Sequence, residues 1–333
     1  MLKVVNGGIE ILVEDWPGRL GYMGLGMAAA GAMDNLALQL GNLLVGNALT
    51  DAGLEIAGGY CEFEATDTGV LALTGADMSA ALNGTPLPLW ESVAVEKGDL
   101  LKFSHFGEKG FRAYLALRGG VDVPVYLGSR STCLFGSYGG FEGRKLAAGD
   151  IVTAVKDSSA AGGGTSSVTG RKLNPKYIPK YSNIWELRAI PGPNSSPDYV
   201  TEEGMDYVFS SPMKISHNAN RAAYRLEEVP DYFWARKDGG KGGSHPSNIV
   251  DHGYNMRGAI NVTGNTPSVL IADGPTLGGF VCVANVINAD LWKIGQGIPA
   301  RDKAAFTLVT VEDAIEARKE RNAMFEADDL FLS

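Results

Sequence analysis

Cysteine is scarce in this chain: three residues, Cys61, Cys133 and Cys282, stand far apart inside apolar runs. An odd count without close pairs excludes a disulfide framework and a thiolate zinc site, and predicts buried, reduced thiols. Histidine is nearly as rare, with four residues and no His-Glu-x-x-His. His245 and His252 stand seven apart around a proline on a glycine-rich segment, poor spacing for zinc. Long hydrophobic runs are missing too. The longest apolar stretch, Val269 to Ile287, is broken by Asp273, Gly274 and Pro275, so it does not read as a membrane span. The opening MLKVVNGGIEILVEDW lacks the apolar centre and cleavage site of a signal peptide, and the expected location is cytoplasmic. Positive charge is in deficit: the formal charge of −9 disfavours DNA or RNA, whose binding rests on Lys and Arg neutralising phosphates. Phosphate loops are absent as well. GLGMAAAG spaces its glycines wrongly for a dinucleotide fingerprint, and Lys241 is followed by Gly where a P-loop needs Ser or Thr.

Glycine, by contrast, is abundant at 44 residues, and short apolar runs alternate with tight-turn signals. This predicts a mainly β protein with few short helices. At 333 residues the chain exceeds one ordinary hydrophobic core. The Ser/Gly/Pro-rich seam from Lys156 to Asn183 divides it, giving an expected N-terminal β subdomain over 1–155, a linker over 156–184, a second β subdomain over 185–310 and a C-terminal helix or tail over 311–333. One helix is clear in the first half, with Asp34 as cap, Leu36, Leu40, Leu43 and Leu44 at helical spacing, and Gly46 as stop. The glycine-rich stretch before it, through Gly21, Gly24, Gly26 and Gly31, reads as a turn-rich entry to that helix. Strand-like runs follow at Val70–Leu73, Ser92–Val95, Leu100–Phe103 and Arg112–Leu117. In the second half they recur at Trp185–Ile190, Ala259–Val262, Ser268–Ile271, Phe280–Ile287 and Ala305–Val309. A last helix is predicted from Thr310, with Asp313 three residues on as its capping partner. Gly98-Asp99-Leu100, Gly149-Asp150-Ile151 and Arg301-Asp302-Lys303 each introduce a β run, a faint echo between β modules.

Three segments concentrate polar chemistry. The densest is Trp234 to Asn255, WARKDGGKGGSHPSNIVDHGYN, whose glycines prevent regular structure while Arg236, His245, Ser247, Asn248, Asp251 and His252 crowd together. A long, polar, glycine-hinged loop is either a surface excursion or a binding loop. The second is IADGPTLGGFVC, Ile271 to Cys282. It places a carboxylate, Asp273, beside backbone that a ligand can approach, although by pattern alone a tight turn between core strands is the favoured reading. The third, Asn220, Arg221, Tyr224 and Arg225, can pair with carboxylates of a substrate or of the fold itself.

Read in order, EDWPGRLGYMGLGMAAAGAMDNLALQLGNLLVGN, LTGAD, RAYLALRGGVDVPVYLGSRST, ANRAAYRLE, ARKDGGKGGSHPSNIVD, DGPTLGGFVC and ADLWKIGQGIP resemble the urea carboxylase and urea amidolyase family, in its carboxyltransferase part, the allophanate hydrolase subunit 2-like domain. The likeness runs the length of the chain. The resemblance implies a cyclophilin-like β-barrel and a biotin-dependent transfer of a carboxyl group from carboxybiotin to urea. No Met-Lys-Met carrier motif occurs, so biotin is expected on a separate carrier domain and ATP use on a separate biotin carboxylase domain. A companion carboxyltransferase domain, allophanate hydrolase subunit 1-like, is expected to complete the site. The same likeness makes His245, Asn248 and Asp273 the candidate catalytic residues. Ser244, Ser247, Asn248, Gly278, Gly279, Arg221 and Arg225 are the candidate substrate-binding residues, Ser244, Ser247 and the two glycine amides as donors to developing negative charge. No metal is expected. Asn248 can complement neutral urea from both sides, whereas the guanidinium cation would favour a carboxylate there. Two other readings stay open: a 5-oxoprolinase-type subunit acting on a cyclic amide without biotin, and a noncatalytic regulatory partner.

Overall fold

The structure, a computed structural model, describes residues 1–155, 168–250, 256–276 and 278–332. Asp251 and His252, and the first part of the expected linker, 156–167, lie outside the described residues. The chain forms two compact units. One comprises Met1–Gly21, Ala29–Tyr181 and Ala323–Ser333, the other Tyr22–Ala28 and Ser182–Asn322. The principal division at Tyr181/Ser182 falls inside the 156–184 segment, but two short stretches cross over: the tip of the glycine-rich loop joins the second unit and the C-terminus returns to the first.

The first unit is built from β1 (Leu2–Gly7), β2 (Glu10–Glu14), α1 (Asn35–Leu44), β3 (Gly53–Ala57), β4 (Cys61–Ala65), β5 (Gly69–Gly75), β6 (Ala81–Leu82), β7 (Thr85–Pro86), β8 (Glu91–Val95), β9 (Leu100–Lys102), β10 (Arg112–Leu117) and β11 (Ile151–Val152). These make two antiparallel sheets, ordered β11-β1-β4-β9-β6-β7 and β2-β3-β10-β5-β8. Their facing side chains, among them Val4, Phe63 and Leu101 from one and Ile11, Ile56, Leu71 and Leu115 from the other, form one core. Helix α1 covers the outer face of the second sheet: Thr74 on β5 donates to the Ala37 carbonyl at 2.8 Å, and Gly41 lies against Thr74 and Ala116. Strand β10 is therefore buried along its whole length. Asp34 caps α1, accepting from the Ala37 amide at 2.9 Å, as the sequence predicts.

The second unit contains β12 (Ile184–Pro191), α2 (Glu202–Ser210), β13 (Met213–Lys214), β14 (Ala223–Arg225), β15 (Ala259–Thr263), β16 (Thr266–Leu270), β17 (Val281–Val286), α3 (Leu291–Gly295), β18 (Lys303–Leu308) and α4 (Val311–Met324). Its seven strands run in the order β13-β18-β12-β17-β15-β16-β14, with β12 and β18 parallel. The first and last strands meet. Ile215 bridges to Leu226, the Ser216 amide donates to the Arg225 carbonyl at 2.8 Å, and the Glu227 amide donates to the Lys214 carbonyl at 2.9 Å. The sheet thereby closes into the expected barrel and leaves no free edge along this seam. Helix α4 starts with the predicted box: the Thr310 hydroxyl accepts from the Asp313 amide at 3.1 Å and the Asp313 carboxylate accepts from the Thr310 amide at 3.0 Å.

The three cysteines are buried and free. Burial pushes the Cys61 thiol up to about 12 and the Cys282 thiol up to about 11, so neither is a thiolate at neutral pH. Among the described residues, no helix is long and apolar enough to cross a membrane, and no cluster of three or more His, Cys, Asp or Glu side chains is arranged to hold a metal.

Candidate functional site

The polar loop of the second unit is ordered by its own side chains. At Gly243, φ is +134° and a Cβ would fall 2.5 Å from the Asn248 side-chain nitrogen, so only glycine fits. The Ser247 amide donates to Nδ1 of His245 at 3.1 Å, and the Ser247 hydroxyl lies 2.9 Å from the same nitrogen. An amide N–H can only donate, so Nδ1 is the acceptor and the proton of the neutral imidazole sits on Nε2. His245 thus offers a hydrogen-bond donor at Nε2. The edge of its ring is set against Trp234 at 5.7 Å and 89°, and Trp234 is itself anchored to the Asn265 side chain at 2.9 Å.

Ser247 is fully buried, its hydroxyl also accepting from the Gly264 amide at 3.1 Å and lying 3.3 Å from the Asn248 side-chain oxygen. In this arrangement it orders the loop and does not face solvent; the exposed hydroxyl is that of Ser244. Arg236 closes the loop from behind. Its guanidinium donates to the Pro246 carbonyl at 2.8 Å and to the Asn248 carbonyl, and it stands over the Tyr199 ring at 4.6 Å. Sequence reasoning noted Arg236 in the cluster without giving it a role. Its i+10 and i+12 partners follow no local rule that would have revealed it.

The segment after β16 is held at both ends. At its start, the Asp273 amide donates to the Arg221 carbonyl at 2.9 Å. The Asp273 carboxylate takes two hydrogen bonds of 3.1 Å from the Arg221 guanidinium, with both side chains buried. This fork-on-fork pair leaves the carboxylate facing Arg221 and not water. At the other end, the polar loop joins as a short antiparallel partner: Asn248 bridges to Phe280, the Ile249 amide donates to the Gly279 carbonyl at 3.0 Å, and the Val281 amide donates to the Ser247 carbonyl at 2.8 Å. The backbone on either side of the half-buried Asn248 is therefore paired with Gly279 and Val281, next in the chain to the exposed Gly278, while the Asn248 side chain itself lies against Gly243 and the Ser247 hydroxyl. Neither glycine amide donates to an acceptor among the described residues. Arg225, expected at the substrate, donates instead to the Asn218 carbonyl at 2.9 Å. It lines a different cleft, of about 420 Å³, at the barrel seam with Lys214, His217 and Glu227.

A further element is contributed by residues distant in sequence. The tip Tyr22–Ala28 belongs to this unit, and a methyl group placed on Gly26 would stand 4.0 Å from the Thr276 hydroxyl. Its reading as a turn-rich helix entry captured the turns but not this position, for which composition carries no signal.

Residues 25–308 match the model of the carboxyltransferase domain, subdomain A and B. The chain is 38% identical over 333 residues to the urea amidolyase of Lachancea kluyveri, covering 97% of this chain and 18% of that protein. It is 32% identical to a 5-oxoprolinase subunit of Escherichia coli, covering 98% of this chain and 97% of that protein. The crystal structure of the Kluyveromyces lactis urea carboxylase superposes on it with a TM-score of 0.89 at 34% identity, over 99% of this chain and 30% of that one. The chain thus spans less than a third of the urea carboxylase and amidolyase relatives and nearly the whole of the 5-oxoprolinase subunit. With the two-sheet unit, the closed barrel and the full succession of motifs in agreement, the chain belongs to the carboxyltransferase domain family, subdomain A and B.

Proposed function

We propose that this chain supplies the carboxyltransferase portion of a biotin-dependent urea carboxylase, moving a carboxyl group from carboxybiotin to urea to give allophanate. The observation that supports the reading is the zipping of residues 247–249 onto 279–281, which joins the Asn248 loop to the Gly278–Gly279 segment, whose amides donate to no acceptor among the described residues. Those groups fit a cyclic ureido ring and a small planar amide: donors for oxygen that gains charge, and one side chain that both donates and accepts.

Biotin, carried on a separate domain, supplies the activated carboxyl group. The residues of this chain bind and orient. Asn248 holds urea through its carbonyl and N–H groups; the Gly278 and Gly279 amides and the Ser244 hydroxyl donate to oxygen bearing developing charge. His245 donates from Nε2, because Nδ1 is held by Ser247. For His245 to take up a proton, Nδ1 must first be released from Ser247. Asp273 and Arg221 act as positioning residues, since their charges are spent on one another. A companion carboxyltransferase domain closes the site, and biotin carboxylase and carrier domains feed it.

The test is reconstitution with those components and a panel of urea, guanidine, acetamide and 5-oxoproline. Bicarbonate- and biotin-dependent consumption of ATP with urea is the expected result; opening of 5-oxoproline without biotin would replace the reading by the second one. That alternative, a protein acting on a cyclic amide, draws its support from the near-complete coverage of the 5-oxoprolinase relative.

A further inference from the structure

The loop between β2 and α1 stands on a fixed base. The Arg19 amide donates to the Ala29 carbonyl at 2.7 Å. The Arg19 side chain, 1% exposed, donates to the carbonyls of Tyr126 and Ser131 and lies over the rings of Tyr138 at 4.9 Å and Tyr126 at 5.8 Å. A guanidinium buried among neutral carbonyls and rings is costly, and its return here is a rigid pair of stems. The tip itself, residues 22–27, turns tightly. The Leu25 and Met27 amides both donate to the Tyr22 carbonyl, the Gly26 amide donates to the Met23 carbonyl, and Gly26 takes φ +83°. Compact loops with tied ends are common carriers of function.

The Tyr22 phenol is the one polar side-chain group among residues 22–27. The larger side chains of the tip are Tyr22, Met23, Leu25 and Met27, and Leu25 is 78% exposed. A Cβ on Gly24 would meet nothing within 4 Å, so the space beside the tip is open. The tip packs in the unit that holds Asn248, and its Gly26 approaches Thr276, two residues before Gly278, whose amide donates to no acceptor among the described residues. An ordered apolar knob next to a short row of donors is the composition of a small-molecule site: a greasy wall for orientation and a few placed polar groups.

We propose that Tyr22–Met27 forms the apolar wall of the carboxyltransfer site, with Leu25 resting on the apolar face of the bicyclic ureido ring while the Gly278 and Gly279 amides meet its polar edge. The inference rests on the carboxyltransferase reading. It makes Leu25 a ligand-contacting, specificity-determining residue, and it gives an exposed leucine on a tightly turned tip a role.

The test is a titration of the reconstituted complex, Met methyl groups labelled with 13C, with free biotin. Binding is expected to shift the Met23 and Met27 methyl resonances. Leu25→Ser is expected to weaken binding about ten-fold or more. Leu25→Met is expected to retain it, and the melting temperature to stay unchanged in both because the side chain is exposed. Biotin binding of undiminished affinity in Leu25→Ser, or tip methyls that respond to the companion domain but not to biotin, overturns the proposal while leaving the carboxyltransferase reading intact. Absence of both biotin binding and biotin-dependent carboxylation in the wild type overturns that reading, and this inference with it.

Discussion

Each unit buries an arginine–carboxylate pair among the described residues, Arg112 with Glu55 in the first and Arg221 with Asp273 in the second, and these two pairs are used differently. In the first, Glu55 on β3 pairs with Arg112 on β10 at 3.2 Å and also accepts from the Tyr114 hydroxyl at 2.7 Å and the Met33 amide at 2.8 Å. Burial, reinforced by the charges of Glu55 and Asp34, holds the Tyr114 phenol well above its usual range, so it remains a donor. This network ties the entry of α1 to the interior of a sheet, and every part of it is enclosed. In the second, Asp273 meets Arg221 with equal burial, but Gly278 and Gly279, five and six residues on, are accessible. The first pair locks secondary structure together; the second fixes one end of a segment whose other side is open to a ligand.

The largest expected effects come from breaking either pair. Arg112→Met and Arg221→Met each leave a buried carboxylate uncompensated and are expected to cost about 3 to 5 kcal/mol of stability in denaturant titrations. The comparison is sharpened by activity measured far below the melting temperature: Arg221→Met is expected to lose carboxyl transfer while still folded, and Arg112→Met to keep it. Equal activity in the two would make both pairs merely structural.

A second prediction concerns pH. Burial raises the Asp290 carboxyl, but the bidentate Arg188 guanidinium and Lys293 outweigh it, and the net shift is downward. A carboxylate lowered in the folded state stabilises above its unfolded pKa and loses that contribution as pH falls through the folded value. Wild type is therefore expected to exceed Asp290→Asn in melting temperature at neutral pH, with the gap closing below about pH 4. A gap that widens on acidification contradicts the assignment. The smallest effect is expected at α2, where the Thr201 hydroxyl accepts from the Gly204 amide at 2.9 Å: Thr201→Ala should cost about 1 kcal/mol with no change in activity.

Much of this architecture was legible in the sequence where local rules act. The Asp34 cap, the Thr310 box and the alternating strands are short-range patterns. So is the echo of Asp99, Asp150 and Asp302: each carboxylate accepts an amide three or four residues upstream, from Glu96, Ala147 and Ile298, just before β9, β11 and β18. Strand β3 escaped because it is buried on both faces and shows no alternation. Helix α2 escaped because a glycine falls in its first turn, packed against the Phe233 backbone. At the site, the polar loop and the Asp273 segment were readable as clusters. Their pairing, the engagement of Ser247, the separate cleft of Arg225 and the arrival of Tyr22–Ala28 are tertiary facts with no short-range signature.

The central claim is that Asn248, on the loop joined to the Gly278–Gly279 segment, selects the carboxyl acceptor. It is tested most directly by the ratio of kcat/KM for urea to that for guanidine, measured in the reconstituted complex for wild type and Asn248→Asp. The account predicts a wild type that favours urea and a variant shifted towards guanidine. A wild type that carboxylates guanidine faster, with no further shift in the variant, would contradict it.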